Sequence, residues 1–269
     1  SNSWQIRIAR KFDMTNDSYL FKTEPKQGRL PLYEGKMFWQ FDHRKAEPKY
    51  WLDEEDARRA LRGKRDDSLP LVMDYEMPRL GYREVSASTN ERTMIAAVIP
   101  PKVFCNHKIN WISKTKSHAF ESQEMMFLCG VINSMSFDYQ LRQRVTTMLS
   151  MFVVYQMPVP RLTEKDAAFR PIAERAARLI CTTQEFDDLA KEIFGGRASA
   201  LSVGVTEPAD RMRLRAELDA LVAQLYGLTE EEFAYILTTF PLVDESVKQL
   251  TLNTYRDLQR LGKLPDTRL

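Results

Sequence analysis

No stretch of this 269-residue chain approaches the roughly 18 consecutive apolar residues of a membrane span. The longest apolar runs, Met94–Pro100 and Met125–Ile132, have the length of a strand or a short helix. Cysteine is sparse: Cys105, Cys129 and Cys181 are odd in number and widely spaced. A secreted disulfide framework would normally be denser and even in number, and reduced, mostly buried thiols in a cytoplasmic protein are the expectation. No signal peptide opens the chain. Glycine (10) and proline (13) are not enriched and no internal repeat is present, which argues against low complexity. A Gly-rich phosphate loop is missing too. Gly195-Gly196 follows a helical stretch instead of opening one and reads as a helix stop, so common ATP, NAD and S-adenosylmethionine sites are not expected. With only His43, His107 and His118 available, Cys105-Asn106-His107 finds no partner pair for a tetrahedral metal. No serine elbow occurs. Asp74 and Glu76 near Arg79 are the one faint magnesium-site candidate, and a surface charge pair is the better reading.

What the chain does hold is ordinary for a soluble protein, with 43% hydrophobic and 28% charged residues, enough for one large domain or two smaller ones. Net charge is +2, but unevenly spread. Residues 1–160 carry 24 Lys and Arg against 19 Asp and Glu; residues 161–269 carry 15 against 18. A mild basic bias in the front suits phosphate contact.

Composition changes at Pro158-Val159-Pro160. Before it, aromatic, Met and β-branched residues dominate. Strands are expected at Trp4–Lys11, Met37–Phe41, Tyr82–Val85 and Thr93–Ile99, the last two around the turn Ser88-Thr89-Asn90. A short helix is expected at Asp53–Leu61, acidic first and basic last, followed by a polar loop over Arg62–Ser68. Further helices are expected at Glu121–Ser134 and Ser136–Met148. The back reads as all helix, over about 164–180, 183–193, 208–225, 229–238 and 244–260, with a loop at Arg197–Glu207. Thr229 with Glu232 forms a capping box, and Gly227 suits the left-handed stop before it. The implied fold class is α+β: a mixed domain over 1–160 and a helical segment over 161–269.

Two stretches mix aromatics with basic and amide groups beside apolar runs: Tyr33-Glu34-Gly35-Lys36 to Phe41-Asp42-His43-Arg44, and Arg83-Glu84-Val85 to Asn90-Glu91-Arg92-Thr93. Lys36, His43 and Arg44 can donate to phosphate or guanine edges, and Phe38 and Trp39 can stack on a base or fill the core. In the second stretch, Arg83, Ser86, Ser88 and Asn90 suit close approach to a polyanion. Glu91 and Arg92 fit a structural ion-pair network as well as contact. A third, Cys105-Asn106-His107-Lys108-Ile109-Asn110-Trp111, reads as a polar loop in which Asn106, Lys108 and Asn110 are candidate readers.

These stretches resemble the specificity region of adenine-N6 DNA methyltransferases of the restriction–modification type, including fused endonuclease–methylase enzymes. The resemblance extends to Leu128–Ser134 with Gln156-Met157-Pro158-Val159-Pro160, and to the tail around Arg215–Ala223 and Tyr226–Thr229. Phe38-Trp39 is bulkier and Ser86-Ala87-Ser88 smaller than the family pattern, and the Asn/Asp-Pro-Pro-aromatic catalytic motif is absent.

The resemblance implies a target-recognition domain, inactive by itself, whose parent enzyme uses S-adenosylmethionine to methylate a flipped adenine. Expected partners are double-stranded DNA and the rest of the parent chain, with no membrane, metal or catalytic residue in this stretch. The expected DNA-binding set is Lys36, His43, Arg44, Arg83, Ser86, Ser88, Asn90, Arg92, Asn106, Lys108 and Asn110. Two competing readings are a protein-interaction module of a phage-defence complex, docked through the acidic helical part, and a hydrolase with an unrecognised site.

Overall fold

Short strands in the front of the chain, several buried along their whole length, build two small sheets, and apolar residues at helical spacing in the back build helices, giving an α+β fold. The computed structural model describes residues 4–63, 73–114, 120–145 and 147–264. It divides into two units: Ser1–Val85 with Ala96–Phe120, and Ser86–Ile95 with Glu121–Leu269. The change of composition at Pro158–Pro160 therefore falls inside the second unit. The charge split is sharper on these bounds, with 21 Lys and Arg against 15 Asp and Glu in the first unit and 18 against 22 in the second.

The first unit contains β1 (Ile6–Ala9), β2 (Arg29–Tyr33), β3 (Tyr50–Asp53), α1 (Glu54–Arg62), β4 (Arg79–Arg83), β5 (Ala96–Ile99), β6 (Phe104–Cys105) and β7 (Ile109–Lys114). One sheet runs β1-β7-β4-β5, all antiparallel; the other runs β3-β2-β6, with β2 and β6 parallel. The second sheet covers a core of Phe12, Leu20, Leu32, Leu52, Ala57, Tyr75 and Phe104, with the Tyr75 and Phe104 rings 4.6 Å apart. Each Leu or Phe side chain among them, fully buried, contributes about 1.5–3 kcal/mol. Gly81 lets the sheet meet its neighbours: a Cβ there would lie 2.7 Å from Ile99 Cδ1 and 3.0 Å from Phe38 Cε2.

Two expectations change in this unit and a third is left open. Met37–Phe41 is not a strand; Gly35–Met37 is one 3-10 turn, and Trp39 and Asp42 close a tight reversal with Phe41 at φ 62°. The strand of this region is β2, whose Pro31 disguised it. Ile109–Trp111, read as the end of a polar loop, instead opens the central strand β7, which is paired on both sides. Of the loop expected over Arg62–Ser68, the part from Lys64 onward lies outside the described residues.

The second unit contains α2 (Ser122–Ile132), α3 (Met135–Arg142), α4 (Met151–Tyr155), α5 (Phe169–Ile180), α6 (Asp187–Phe194), α7 (Ala200–Val203), α8 (Pro208–Leu225), α9 (Glu230–Thr238) and α10 (Glu245–Leu261). From Glu124 to Ile132 every α2 residue is buried. Its Gly130 admits α5 and α8 closely, since a Cβ would stand 2.9 Å from Ile172 Cγ2 and 3.3 Å from Leu218 Cδ2. Phe127 stacks on Phe169 at 4.9 Å. Ser134 caps α3 by accepting from the Phe137 amide at 3.2 Å, and Thr229 caps α9 through the expected box with Glu232. Gly227 takes the left-handed φ of 70°. The helix expected over Ser136–Met148 ends at Arg142, and the loop expected at Arg197–Glu207 contains α7, capped by Ser199. No helix among the described residues is long and apolar enough to cross a membrane.

Candidate nucleic-acid interface

In the first unit, strand register gathers basic groups at one end of the four-stranded sheet. Arg83 ends β4 opposite Ile109, the first residue of β7. Lys108 precedes that residue, and its carbonyl accepts from the Glu84 amide at 2.9 Å. Arg10 follows β1 and pairs with Glu84 at 2.5 Å, while Lys108 Nζ lies 3.6 Å from the same carboxylate. The Gly35-Lys36 turn joins this end because Gly35 has no side chain; a Cβ there would meet the Lys108 carbonyl at 3.3 Å. Lys36 is exposed and pairs with its neighbour Glu34 at 3.3 Å. One buried acid, Glu84, thus organises Arg10 and Lys108.

Arg83 differs from these. It is half-buried, burial alone pulls its pKa below the ordinary arginine value, and no counter-charge faces it among the described residues. A partly desolvated guanidinium with no carboxylate beside it keeps its hydrogen-bond donors open to an anion.

Several expected donors are not on the surface. His43 is buried, stacked on Tyr33 with Nδ1 3.3 Å from its hydroxyl. Asn106 is buried and structural: its Oδ1 accepts from the Lys108 amide at 3.0 Å, which shapes the turn into β7. Asn110 is wholly buried in β7, and neither its Nδ2 nor its Oδ1 finds a partner among the described residues. Arg44 is exposed and pairs with Glu47 at 2.7 Å. Asp74 and Glu76 are structural as well. Asp74 accepts from Trp111 Nε1 at 3.2 Å and pairs with Arg7; Glu76 pairs with Arg58 at 2.6 Å. No metal-binding group of three or more His, Cys, Asp and Glu occurs among the described residues.

In the second unit, Ser86–Ile95 forms a tight loop. Ser86 and Arg92 are buried, so both leave the contact set. Arg92 instead pairs with Asp138 at 2.9 Å and donates to the Asn133 carbonyl at 2.6 Å. Ser88, Thr89 and Asn90 form its outward turn, with Thr89 and Asn90 exposed. Position in the chain suggested Arg92 as a donor; the partner that buries it, Asp138, lies 46 residues away and carries no local signal.

No protein-family model matches the chain, and no curated protein matches it in sequence. Its fold does have solved relatives. One is the Type IIL restriction–modification enzyme MmeI, whose structure was determined in complex with DNA. The TM-score is 0.50 at 13% identity, and the match covers 98% of this chain and 36% of MmeI. The chain therefore shares its fold with a part of a restriction–modification enzyme and spans about a third of that enzyme's length.

Proposed function

We propose that this chain binds duplex DNA sequence-specifically, as the target-recognition part of a restriction–modification adenine-N6 DNA methyltransferase. The observation that carries the reading is the fold match to MmeI, which extends over nearly the whole chain. The excess of positive charge in the first unit and the uncompensated Arg83 agree with it. Phosphates would be held by Arg83, Lys36, Lys108 and Arg44, which fix position without reading sequence. Hydroxyl and amide groups would read base edges. S-adenosylmethionine and the transfer to a flipped adenine would belong to the rest of the parent chain, so this stretch alone would be inactive. A cytoplasmic setting goes with three free, buried cysteines.

Selection from a pool of duplexes with a randomised core tests the reading. Repeated rounds of capture by the full chain should enrich a defined sequence over its scrambled version. A pool that stays random under capture contradicts it.

A further inference from the structure

The loop between β4 and β5 has an unusual division of labour. Its backbone is tied down at Ser86 and Ala87 and again from Asn90 to Met94, on either side of Ser88 and Thr89, whereas the side chains at its tip have no hydrogen-bond partner among the described residues. Both oxygens of Asp138, a residue with no exposed surface, are committed to this loop. They accept from Arg92 Nε at 2.9 Å, from the Thr93 amide at 3.0 and 3.2 Å, and from the Met94 amide at 3.0 Å. Arg142, at the end of α3, donates through Nη2 to the carbonyls of Asn90 at 2.5 Å and Glu91 at 2.7 Å. Its guanidinium lies over the Phe240 ring at 4.2 Å and reaches the Thr239 carbonyl at 3.4 Å. The loop closes on itself where Thr93 Oγ1 and the Asn90 amide both donate to the Ala87 carbonyl at 3.1 Å.

At the tip, Ser88, Thr89 and Asn90 stand in sequence. Among the described residues none of these three side chains has a hydrogen-bond partner. Glu91, next along, lies in the field of Arg215. Ordering a loop costs about 1–2 kcal/mol of backbone entropy per residue. Here α3 meets that cost from Asn90 to Met94, and three donor–acceptor side chains are left idle on the turn it anchors. Idle polar groups on a preorganised backbone are what a recognition surface needs, because their hydrogen bonds are made only with the ligand.

We infer that Asp138 and Arg142 are positioning residues that hold Ser88, Thr89 and Asn90 as a rigid reader of base edges, with Arg92 serving as an internal strut. The inference rests on the proposed function and adds which side chains discriminate and what holds them. An amide such as Asn90 pairs with adenine through two hydrogen bonds, a contact that contributes about 1–3 kcal/mol of discrimination.

The test uses the full chain, the duplex enriched in the selection above and a scrambled duplex of equal length. Asn90→Ala should lower the ratio of the two affinities about 5- to 150-fold, leaving scrambled-duplex affinity and its salt dependence unchanged. Arg142→Ala should lower the same ratio without touching an exposed reader, and Arg142→Lys should restore part of it. Hydrogen exchange at the Asn90 and Glu91 amides should speed up in Arg142→Ala even without DNA. If the wild-type ratio survives both alanine variants, or if both duplexes weaken equally, the inference is wrong and DNA binding stands. Should the wild-type chain show no preference for any duplex, the proposed function and the inference fail together.

Discussion

Asp138 and Arg92 meet at 2.9 Å with both side chains sealed from water, and the same carboxylate receives the amides of Thr93 and Met94. Losing Asp138 would strand a buried guanidinium and two buried N–H groups together. Asp138→Ala should therefore cost about 3–5 kcal/mol, read from urea unfolding midpoints. Replacing the pair by Arg92→Met with Asp138→Leu removes the stranded charge but still orphans the two amides, each worth about 1–3 kcal/mol. The double variant should stay at least about 2 kcal/mol below wild type. Recovery to wild-type stability would show that the backbone bonds contribute little.

Arg83 is half-buried with no counter-charge facing it among the described residues, so it should act on DNA as a phosphate contact. Arg83→Ala should weaken all duplexes alike and reduce the magnitude of the log–log salt slope by about 1. An altered sequence preference at constant slope would instead make Arg83 a base reader.

Space, not conformation, fixes Gly204. Its φ of −72° is open to any residue, yet a Cβ would lie 1.9 Å from the Cys181 carbonyl oxygen and 2.7 Å from the Ala200 carbonyl oxygen. Backbone oxygens cannot turn aside as side chains do. Gly204→Ala should lower stability by about 1–3 kcal/mol or more, while Gly196→Ala, in open space, should be near neutral on the same thermal-melt assay.

The thiols predict an alkaline limit. Burial raises Cys105 from 9.0 to about 11 and Cys181 from 9.0 to about 12. A group that holds its proton more tightly when folded adds stability below its unfolded pKa and loses it as pH rises towards the folded value. Stability should be flat up to about pH 9 in this respect and fall from there towards pH 12. Urea midpoints across that window check it. Cys105→Ala should flatten part of the decline, and a decline of unchanged depth would assign it to other groups.

Much of the helical half was legible because helices answer to local spacing. The apolar stripe Leu214, Leu218, Leu221, Val222 and Leu225 lies in α8 over the expected 208–225, and the Thr229–Glu232 box starts α9 at the expected residue. The sheets were less legible because their partners are distant. β2 carries Pro31, which Trp51 of β3 faces in register, and the more strand-like Phe38-Trp39 turned out to bracket a reversal. β7 was obscured by Asn110, a polar residue with no exposed surface. Among the candidate contacts, residue type was a poor guide to exposure. Lys36, Arg44 and Asn90 are exposed, whereas His43, Ser86, Arg92, Asn106 and Asn110 are buried, and for Arg92 the partner responsible, Asp138, is 46 residues away.

The affinity of the full chain for duplex DNA, measured by fluorescence anisotropy from low to physiological salt, tests the central claim most directly. The account predicts a dissociation constant that rises steeply and linearly in a log–log plot, with roughly one counterion released per basic contact. An affinity indifferent to salt, or no binding even at low ionic strength, would contradict it.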